Sequence, residues 1–501
     1  MARRLAAIRA FSSARAGMSR AGSPVTRRMG GRSGERWASG ASACCSGLVV
    51  GANILPDLGR AVLTCPGSKA LLWYACVQIP GTQATEAMMD LNSVVEVAGG
   101  GHEILGDCWA QSEACYPEGG PRFLHPAEIT KARAFAGLPD EADAALHAAA
   151  QRIREIPELA HLAWHCSQVV FENLEYSAAK LREWPDMIGA LGELAGVFYF
   201  LVGLDAVGRT RETHSRLGIP EGVTRDCFSQ YSESMRYNAM QGGNPHGVRP
   251  RTLYWLRNHI KGDLFRLGRM EYMLKPFTGK LQAWRHRQSG KVVALALAGE
   301  SFDAEGLMTR TEPPDTWLSR LVDDGAAVTG SPISPLGYAQ RPEVTLPHEE
   351  WQLVLSPGDT ILEMHIPDGG GMTPERCHDS MRQALEFFLR HFPERSFAGF
   401  ACGSWILNPE LDRIYRADSN MVLWQRELYL FPIWAGRRCG VYFIFGEDNP
   451  DPATAPRETS LQRALLDQMA ADGRLIGGGM FLLTEDFAAP GSQVYRRQWG
   501  Q

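Results

Sequence analysis

Apolar residues recur at helical spacing through the middle of the chain. Over residues 142–156 they fall mostly three or four positions apart, which predicts an amphipathic helix. The pattern continues over residues 159–176, and residues 187–204 are apolar almost throughout, as in a buried helix. Residues 255–260 end the series. These patterns predict a helical domain over residues 120–260.

After residue 261 the period shortens, and turn signals separate short apolar runs. Gly290 divides two runs that read as a hairpin, and a Ser-Pro-Gly-Asp turn at residues 356–359 joins two further strands. Thr373, Pro374 and Glu375 have the chemistry of a helix start. The predicted strands are 264–274, 281–287, 292–297, 351–355, 361–366, 397–407, 421–431, 441–445 and 480–483, and the predicted helices are 374–391 and 461–471. Residues 261–489 therefore form the mixed half of an α+β protein.

A glycine run connects the strand at residues 361–366 with the best-capped helix of the chain. Ile366 ends the strand, Gly369, Gly370 and Gly371 follow, and Thr373 caps the helix. Glycines allow a close backbone approach to a ligand, and a helix start favours an anion such as a pyrophosphate. The alternative is a tight connection in which the glycines only form a turn.

Four side chains on neighbouring predicted strands are candidates for catalysis. Glu363 and His365 are two residues apart, so they share one face of their strand and could serve as a general base. Cys402 and Ser404 lie on the strand that follows the helix. Cys402 would be a nucleophile if a histidine lowered its pKa. The alternatives are a solvated strand face for the first pair and a buried, inert thiol for Cys402.

The charge distribution separates the N-terminus from the rest of the chain. Residues 1–34 contain eight arginines and no acidic residue, and the remainder holds 43 basic against 56 acidic residues, a net charge of −13. This composition is typical of an organellar transit peptide; the alternatives are an unstructured extension or residues upstream of the true start. We therefore assign residues 1–100 to an N-terminal extension. The protein is expected in the cytoplasm, or in mitochondria or plastids if the segment is a transit peptide.

Composition excludes several classes of function. The acidic body of the chain argues against nucleic acid as a partner. The longest apolar run, residues 194–204, is too short to span a bilayer. The 11 cysteines show neither a C-x-x-C pair nor zinc-finger spacing, so we expect free thiols in a reducing compartment and no metal site.

Five sequence blocks, in this order, carry a resemblance to a known family. They are GDLFRLGRMEY (262–272), SPGDTILEMHIPDGGG (356–371), ACGSWIL (401–407), DSN (418–420) and TSLQRALL (459–466). With LGIPEGV (217–223) in the helical part, they resemble the bacterial acyltransferase domain-containing proteins. Those proteins pair a helical N-acyltransferase N-terminal domain with a GNAT-like C-terminal domain.

The resemblance implies a splayed mixed sheet that grips the pantetheine arm of an acyl-CoA co-substrate between two strands. It implies transfer of the acyl group to a small amine, with Ile366, the glycine run and Thr373 near the cofactor. Two positions depart from the family pattern. Asp368 stands where a basic residue would favour binding of the pyrophosphate. Gly403 stands where the family often has a histidine. The alternative function is therefore a non-catalytic protein that binds CoA or another ligand through a degenerate GNAT-like fold.

Overall fold

The computed structural model describes residues 52–54, 60–63, 74–76, 88–174, 176–311 and 313–499. The chain divides into two units, Met1–Ala87 and Met88–Gln501. In the first unit, β1 (Ala52–Ile54), β2 (Arg60–Leu63) and β3 (Tyr74–Cys76) form an antiparallel sheet in that order. The arginine-rich segment of residues 1–34, which carries the transit-peptide hypothesis, lies outside the described residues.

The second unit begins with a helical half. Its helices are α1 (Leu91–Ala98), α2 (His102–Leu105), α3 (Trp109–Glu113), α4 (Pro126–Phe135), α5 (Ala142–Glu155), α6 (Pro157–Ser167), α7 (Ile188–Leu191), α8 (Ala195–Arg216), α9 (Glu221–Cys227), α10 (Ser229–Met240) and α11 (Pro250–Ile260). Helix α1 lies inside the segment assigned to the extension, and its Val94 is fully buried against the other helices. A π-helical turn, Gln168–Glu172, follows α6, so the helix predicted over residues 159–176 stops early.

Helix α8 is the central element of the helical half and packs against α4, α5, α6, α9 and α11. By length and composition alone, Ile188–Arg216 would be apolar enough to cross a membrane. Phe198, Leu201 and Val202 are fully buried by the surrounding helices, which accounts for this apolar sequence as a protein core.

The sheet half follows at residue 264 and contains strands β4 to β18. They are β4 (Leu264–Leu267), β5 (Met270–Pro276), β6 (Leu281–His286), β7 (Val292–Ala296), β8 (Ser301–Phe302), β9 (Trp317–Leu318), β10 (Leu321–Asp323), β11 (Ala327–Gly330), β12 (Pro332–Ile333), β13 (Val344–Pro347), β14 (Trp351–Leu355), β15 (Thr360–His365), β16 (Gly399–Ser404), β17 (Tyr429–Pro432) and β18 (Gly478–Leu483). The main sheet has the order β17-β18-β16-β15-β5-β4; smaller sheets have the orders β12-β7-β6-β14, β10-β11-β13 and β8-β9. In the main sheet β15 and β16 are parallel, and every other neighbouring pair is antiparallel.

One long helix, α12 (Pro374–His391), covers the buried face of the main sheet. The shorter helices of this half are α13 (Leu411–Ile414), α14 (Asn420–Gln425), α15 (Val441–Phe445), α16 (Ser460–Ala470) and α17 (Val494–Trp499). Leu362 and Met364 of β15 share a buried core with Met381 and Phe388 of α12. The predicted helix, its Thr373 cap and the α+β class are confirmed.

The strand predicted over residues 441–445 is wrong, and the strand predicted over residues 421–431 is confirmed only from Tyr429 onward. Residues 421–425 are helical because Ser419 caps α14, its hydroxyl accepting a hydrogen bond from the Val422 N–H. Residues 441–445 form α15, which lies between Gly440 and Gly446, both with positive φ. A run of five apolar residues has no period of its own, so sequence could not distinguish helix from strand here.

Candidate active site

Strands β15 and β16 separate near the middle of the main sheet. Their parallel ladder contains only two residue pairs, Leu362 with Phe400 and Glu363 with Ala401. Beyond the second pair, β15 still follows β5 and β16 still follows β18 to their last residues. The carboxyl halves of β15 and β16 therefore have partners only on their outer sides. This leaves a slot whose apex is the Glu363–Ala401 pair and whose open end faces the glycine run.

Glu363 and His365 lie together on the face of β15 that is turned toward the helical half. Their Oε2 and Nε2 atoms are 3.4 Å apart. The His365 Nε2 atom is buried and has no hydrogen-bond partner among the described residues. The ring of Trp255, from α11, meets the His365 ring edge to face, with centroids 4.7 Å apart. The structure confirms the prediction that these two residues share a face. The contact of Trp255 with His365 was not predicted from the sequence.

Electrostatics keep Glu363 ionised. The contact with His365 is the largest influence and lowers the pKa of the Glu363 carboxyl, the charge of Lys275 acts in the same direction, and burial opposes them. A carboxylate beside an imidazole stabilises the imidazolium that forms when the ring accepts a proton. The pair is therefore suited to receive a proton as a unit.

Two further glutamates, Glu233 and Glu271, lie beside this pair, and neither was predicted from the sequence. Arg266 Nη1 lies 3.6 Å from Glu233 Oε1 and 3.9 Å from Glu271 Oε1. Glu271 pairs with His365 across the strands. Burial and the neighbouring Glu271 raise the pKa of Glu233 to about 7. Burial also raises the pKa of Glu271, while the charge of Arg266 opposes that change. Glu233 belongs to α10 in the helical half, so no local sequence signal links it to β5.

The glycine run forms a loop in which all three glycines have a left-handed backbone conformation. Gly369, Gly370 and Gly371 have φ values of 87°, 76° and 70°. The buried guanidinium of Arg269 donates to the carbonyl oxygens of Pro367, at 2.7 Å, and of Gly371, at 2.8 Å. Arg269 therefore holds the loop at both of its ends.

Two arginines lie against this loop, and one of them pairs with its acidic residue. Asp368 forms an ion pair with Arg236 of α10. A Cβ atom at Gly370 would lie 2.8 Å from Arg376 Nη2, so the Arg376 guanidinium rests on the loop. The Gly369 N–H donates to Asp368 Oδ1 at 2.8 Å. An anion at the loop would therefore meet arginine side chains, while one of the backbone N–H groups expected to bind it is already engaged.

The remaining predicted catalytic residues, Cys402 and Ser404, are engaged in packing or in local hydrogen bonds. Cys402 is buried on the face opposite Glu363, and burial raises the pKa of its thiol to about 12, so it is not a thiolate at neutral pH. The Ser404 hydroxyl accepts a hydrogen bond from the Ile406 N–H at 3.3 Å and caps the 3₁₀ turn Trp405–Leu407. Tyr429 of β17, the neighbour of β18, is buried and donates to the Ile333 carbonyl at 2.5 Å, so its hydroxyl is also engaged in the core.

The part of the chain that the structure describes contains no group of three or more His, Cys, Asp or Glu residues that could hold a metal ion.

Comparison with protein families identifies both halves. Residues 127–262 match the N-acyltransferase N-terminal domain, and residues 264–481 match the GNAT-like C-terminal domain. The chain belongs to the acyltransferases that combine these two domains. The resemblance seen in the sequence blocks is thereby confirmed, and so is a helical domain followed by a GNAT-like mixed sheet.

Solved acyltransferase structures share this fold. The chain is similar to an acyltransferase in complex with decanoyl-CoA and teicoplanin, with a TM-score of 0.54 and 19% identity over 79% of this chain and 99% of the other. It is also similar to an acyltransferase mutant in complex with octanoyl-CoA, with a TM-score of 0.53, 19% identity and the same coverage. An acyltransferase complex with CoA and 10C-teicoplanin gives a TM-score of 0.53 and 20% identity over the same shares. None of the curated proteins compared matches the sequence.

Proposed function

We propose that the protein is an acyl-CoA-dependent N-acyltransferase that moves an acyl group from CoA to a small amine. The observation that carries this proposal is the slot between β15 and β16, which has Glu363 at its apex, His365 beside Glu363 on β15, and the glycine loop at its open end. A slot between two separating strands can hold a pantetheine arm by main-chain contacts. Both family domains and the acyl-CoA complexes of the structural relatives support this donor.

The loop residues fit the anionic end of the donor. Arg376 and Arg236 bring two guanidinium groups to the glycine loop, and α12 begins directly after it. Guanidinium groups and a helix start both favour a pyrophosphate. The ion pair with Arg236 offsets the charge of Asp368, which reduces the repulsion that this residue would exert on a phosphate.

The reaction needs one proton acceptor and one proton donor. The amine nitrogen forms a bond to the thioester carbonyl carbon, the C–S bond breaks, and the electron pair leaves with the sulfur. The Glu363–His365 pair receives the proton that the amine loses. The same proton, returned directly or through water, neutralises the thiolate. Because the amine attacks the thioester directly, Cys402 forms no covalent intermediate. Relatives with teicoplanin bound support an acceptor that is a small molecule.

A non-catalytic CoA-binding protein is the second candidate, and Gly403 is the observation that favours it. A Cβ atom at Gly403 would have only Ile433 Cδ1 nearby, at 3.6 Å, so a larger side chain would fit. Alternation along β16 places it on the Glu363 face. If the family histidine acts at that position, its loss impairs catalysis here.

Acyl transfer by the full chain and by two variants decides between these candidates. Release of CoA thiol from acetyl-CoA and octanoyl-CoA would be followed over a panel of amines, with CoA affinity measured by isothermal titration. We expect Glu363→Gln to lower kcat about 100-fold or more, the usual contribution of a general base, while CoA affinity stays the same. The control Cys402→Ala, on the opposite face of the neighbouring strand, should retain activity.

The possible outcomes separate the two candidates clearly. CoA binding without turnover over the whole panel would establish the non-catalytic alternative. Absence of binding at millimolar CoA would contradict both. Loss of activity in Cys402→Ala with activity retained in Glu363→Gln would instead indicate a cysteine-dependent reaction.

A further inference from the structure

Glu271 lies in the middle of a row of ionisable side chains that crosses three neighbouring strands. It pairs with Arg266 of β4 on one side and with His365 of β15 on the other. Directly opposed residues of paired strands share a face of the sheet, with Cβ atoms roughly 5 Å apart. The row therefore runs from Arg266 through Glu271 to His365, on the face that also carries Glu363.

This row ends at the slot between β15 and β16. The ladder between these strands stops at the Glu363–Ala401 pair, so within the main sheet His365 has a neighbouring strand only on the side of Glu271. His365 can therefore face a ligand in the slot while Glu271 stands behind it.

The surroundings of Glu271 are unfavourable for stability. Only 3% of its surface is exposed. Arg266 Nη1 is 3.9 Å from Glu271 Oε1, beyond hydrogen-bond distance, and Oε1 has no hydrogen-bond partner among the described residues. A buried carboxylate with an incomplete ion pair costs stability, so its presence beside a candidate base points to a role in the reaction.

The charges around Glu271 come from β4, β15 and α10. Arg266 and a protonated His365 favour the ionised carboxylate and lower its pKa, whereas burial raises this pKa and is the largest influence. Glu233 of α10 has a pKa of about 7 and lies 3.6 Å from Arg266, so it can hold a proton and leave the Arg266 charge to Glu271. Helix α11 contributes the indole N–H of Trp255, 3.4 Å from Glu271 Oε2.

We propose that Glu271 is a positioning residue of the acyl transfer, which orients His365 and compensates the charge that the imidazole acquires from the amine. The proton moves from the amine nitrogen to the Glu363–His365 pair, and Glu271 takes no proton itself. A carboxylate beside an imidazole stabilises the imidazolium. Glu363 on the same strand and Glu271 on the neighbouring strand would both do so. This inference rests on the proposed function, because it assigns a role in that reaction.

The pH dependence of acyl transfer tests this role with Glu271→Gln, which keeps the shape of the side chain and removes its charge. The full chain would be assayed with acetyl-CoA and the amine of the panel that the unmodified protein acetylates fastest. We expect kcat to fall about tenfold or more. The acid limb of the profile of kcat/KM should move to lower pH by about one unit, because an imidazole that loses a neighbouring negative charge releases its proton more readily. The titration of the free amine affects both proteins equally.

Two further variants of the same residue separate charge from packing. Glu271→Asp keeps the charge and should keep the position of the acid limb. Glu271→Met removes the charge with an apolar side chain of similar length, which suits a buried position, and should give the same shift as Glu271→Gln. A role in packing alone would lower kcat in these variants without moving the limb.

Glu410→Gln is the matched control outside the row. Glu410 is also a buried carboxylate, and its partner Arg474 lies at a similar distance, with Nε 3.4 Å from Glu410 Oε2. Its replacement should leave the acid limb where it is in the unmodified protein.

NMR titration of the His365 imidazole in the full chain gives a measurement that needs no turnover. The signal is identified by its loss in His365→Gln, and in Glu271→Gln it should titrate about one pH unit lower than in the unmodified protein. Acyl transfer by the unmodified protein, with an unchanged limb and an unchanged titration in Glu271→Gln, would overturn the inference and leave the proposed function standing. A shifted titration in a protein that acetylates no amine would support the interaction of Glu271 with His365 and contradict the proposed reaction.

Discussion

At the residue scale, the candidate site is defined by carboxyl groups in three different surroundings. Glu363 touches an imidazole and keeps its charge, whereas Glu271 is buried and Glu233 is partly buried beside it. Arg266 is the cation that lies near both of the latter. One guanidinium cannot fully compensate the charges of two buried carboxylates, so Glu233 and Glu271 together favour a state in which one of them is protonated.

The raised pKa of Glu233 predicts a pH dependence of stability. The folded-state pKa of about 7 exceeds the ordinary value of 4.5, so the folded protein binds more protons between these values than the unfolded chain. Stability is therefore present at low pH and is lost as pH rises from about 4.5 to about 7. We expect Glu233 to lower the free energy of unfolding by about 2–3 kcal/mol between pH 5 and pH 8.

Urea unfolding of Glu233→Gln at the two pH values measures this contribution. The variant should lose that part of the pH dependence, whereas Glu349→Gln, at an exposed position, should keep the difference seen in the unmodified protein. An identical pH dependence in Glu233→Gln and the unmodified protein would contradict the assignment.

At the element scale, the connection from β15 to α12 combines strain and support. Three glycines with positive φ shape the loop, Arg269 ties it to β5, and Thr373 caps the helix by accepting a hydrogen bond from the Arg376 N–H at 3.3 Å. The loop is therefore shaped before a ligand arrives, which lowers the entropy cost of binding.

Two glycine substitutions separate backbone strain from ligand binding. Gly370 and Gly358 have similar positive φ values, 76° and 92°, so alanine should cost each about 1–2 kcal/mol of stability. Only at Gly370 would the new Cβ atom press on Arg376, since nothing lies within 4 Å of the position at Gly358. We expect Gly370→Ala to weaken CoA binding about tenfold, or about 1.4 kcal/mol, and Gly358→Ala to leave it unchanged. Isothermal titration with CoA measures the difference, and equal affinities for the two variants would exclude the loop from CoA binding.

At the scale of the whole second unit, the site is assembled from both of its halves. Trp255 of α11 contacts His365, and the Trp255 Nε1 atom lies 3.4 Å from Glu271 Oε2. Arg236 of α10 reaches Asp368 in the glycine loop. The helical half thus contributes an aromatic wall and charged groups to the candidate site on the sheet, so residues of both halves form this site.

Removal of the Trp255 ring tests this arrangement. We expect Trp255→Ala to lower kcat about tenfold, because His365 loses the wall that orients it, with CoA affinity unchanged. Trp351→Ala is the matched control, since Trp351 makes a similar edge contact with His286, at 5.1 Å between centroids, on β14 and β6. Steady-state kinetics of both variants measure the effect. A fall in kcat of equal size in Trp351→Ala would attribute it to general destabilisation.

Features that depend on neighbouring residues were predictable from the sequence. The bounds and cap of α12, the hairpin of β6 and β7 around Gly290, and the common face of Glu363 and His365 all follow from local periodicity and turn chemistry. The five sequence blocks also indicated the family. Local rules failed where the same apolar run is compatible with a helix or a strand, as at α15, whose five apolar residues show no period.

The sequence by itself determined the order of the two domains, the strand–glycine–helix unit and the candidate base. Only the tertiary structure decided which groups surround that base. The Glu233–Arg266–Glu271 cluster and the Arg236–Asp368 pair join residues from distant parts of the chain. Their charges interact because α10 and α11 pack against the sheet, and electrostatic energy depends on distance in space rather than on separation in sequence.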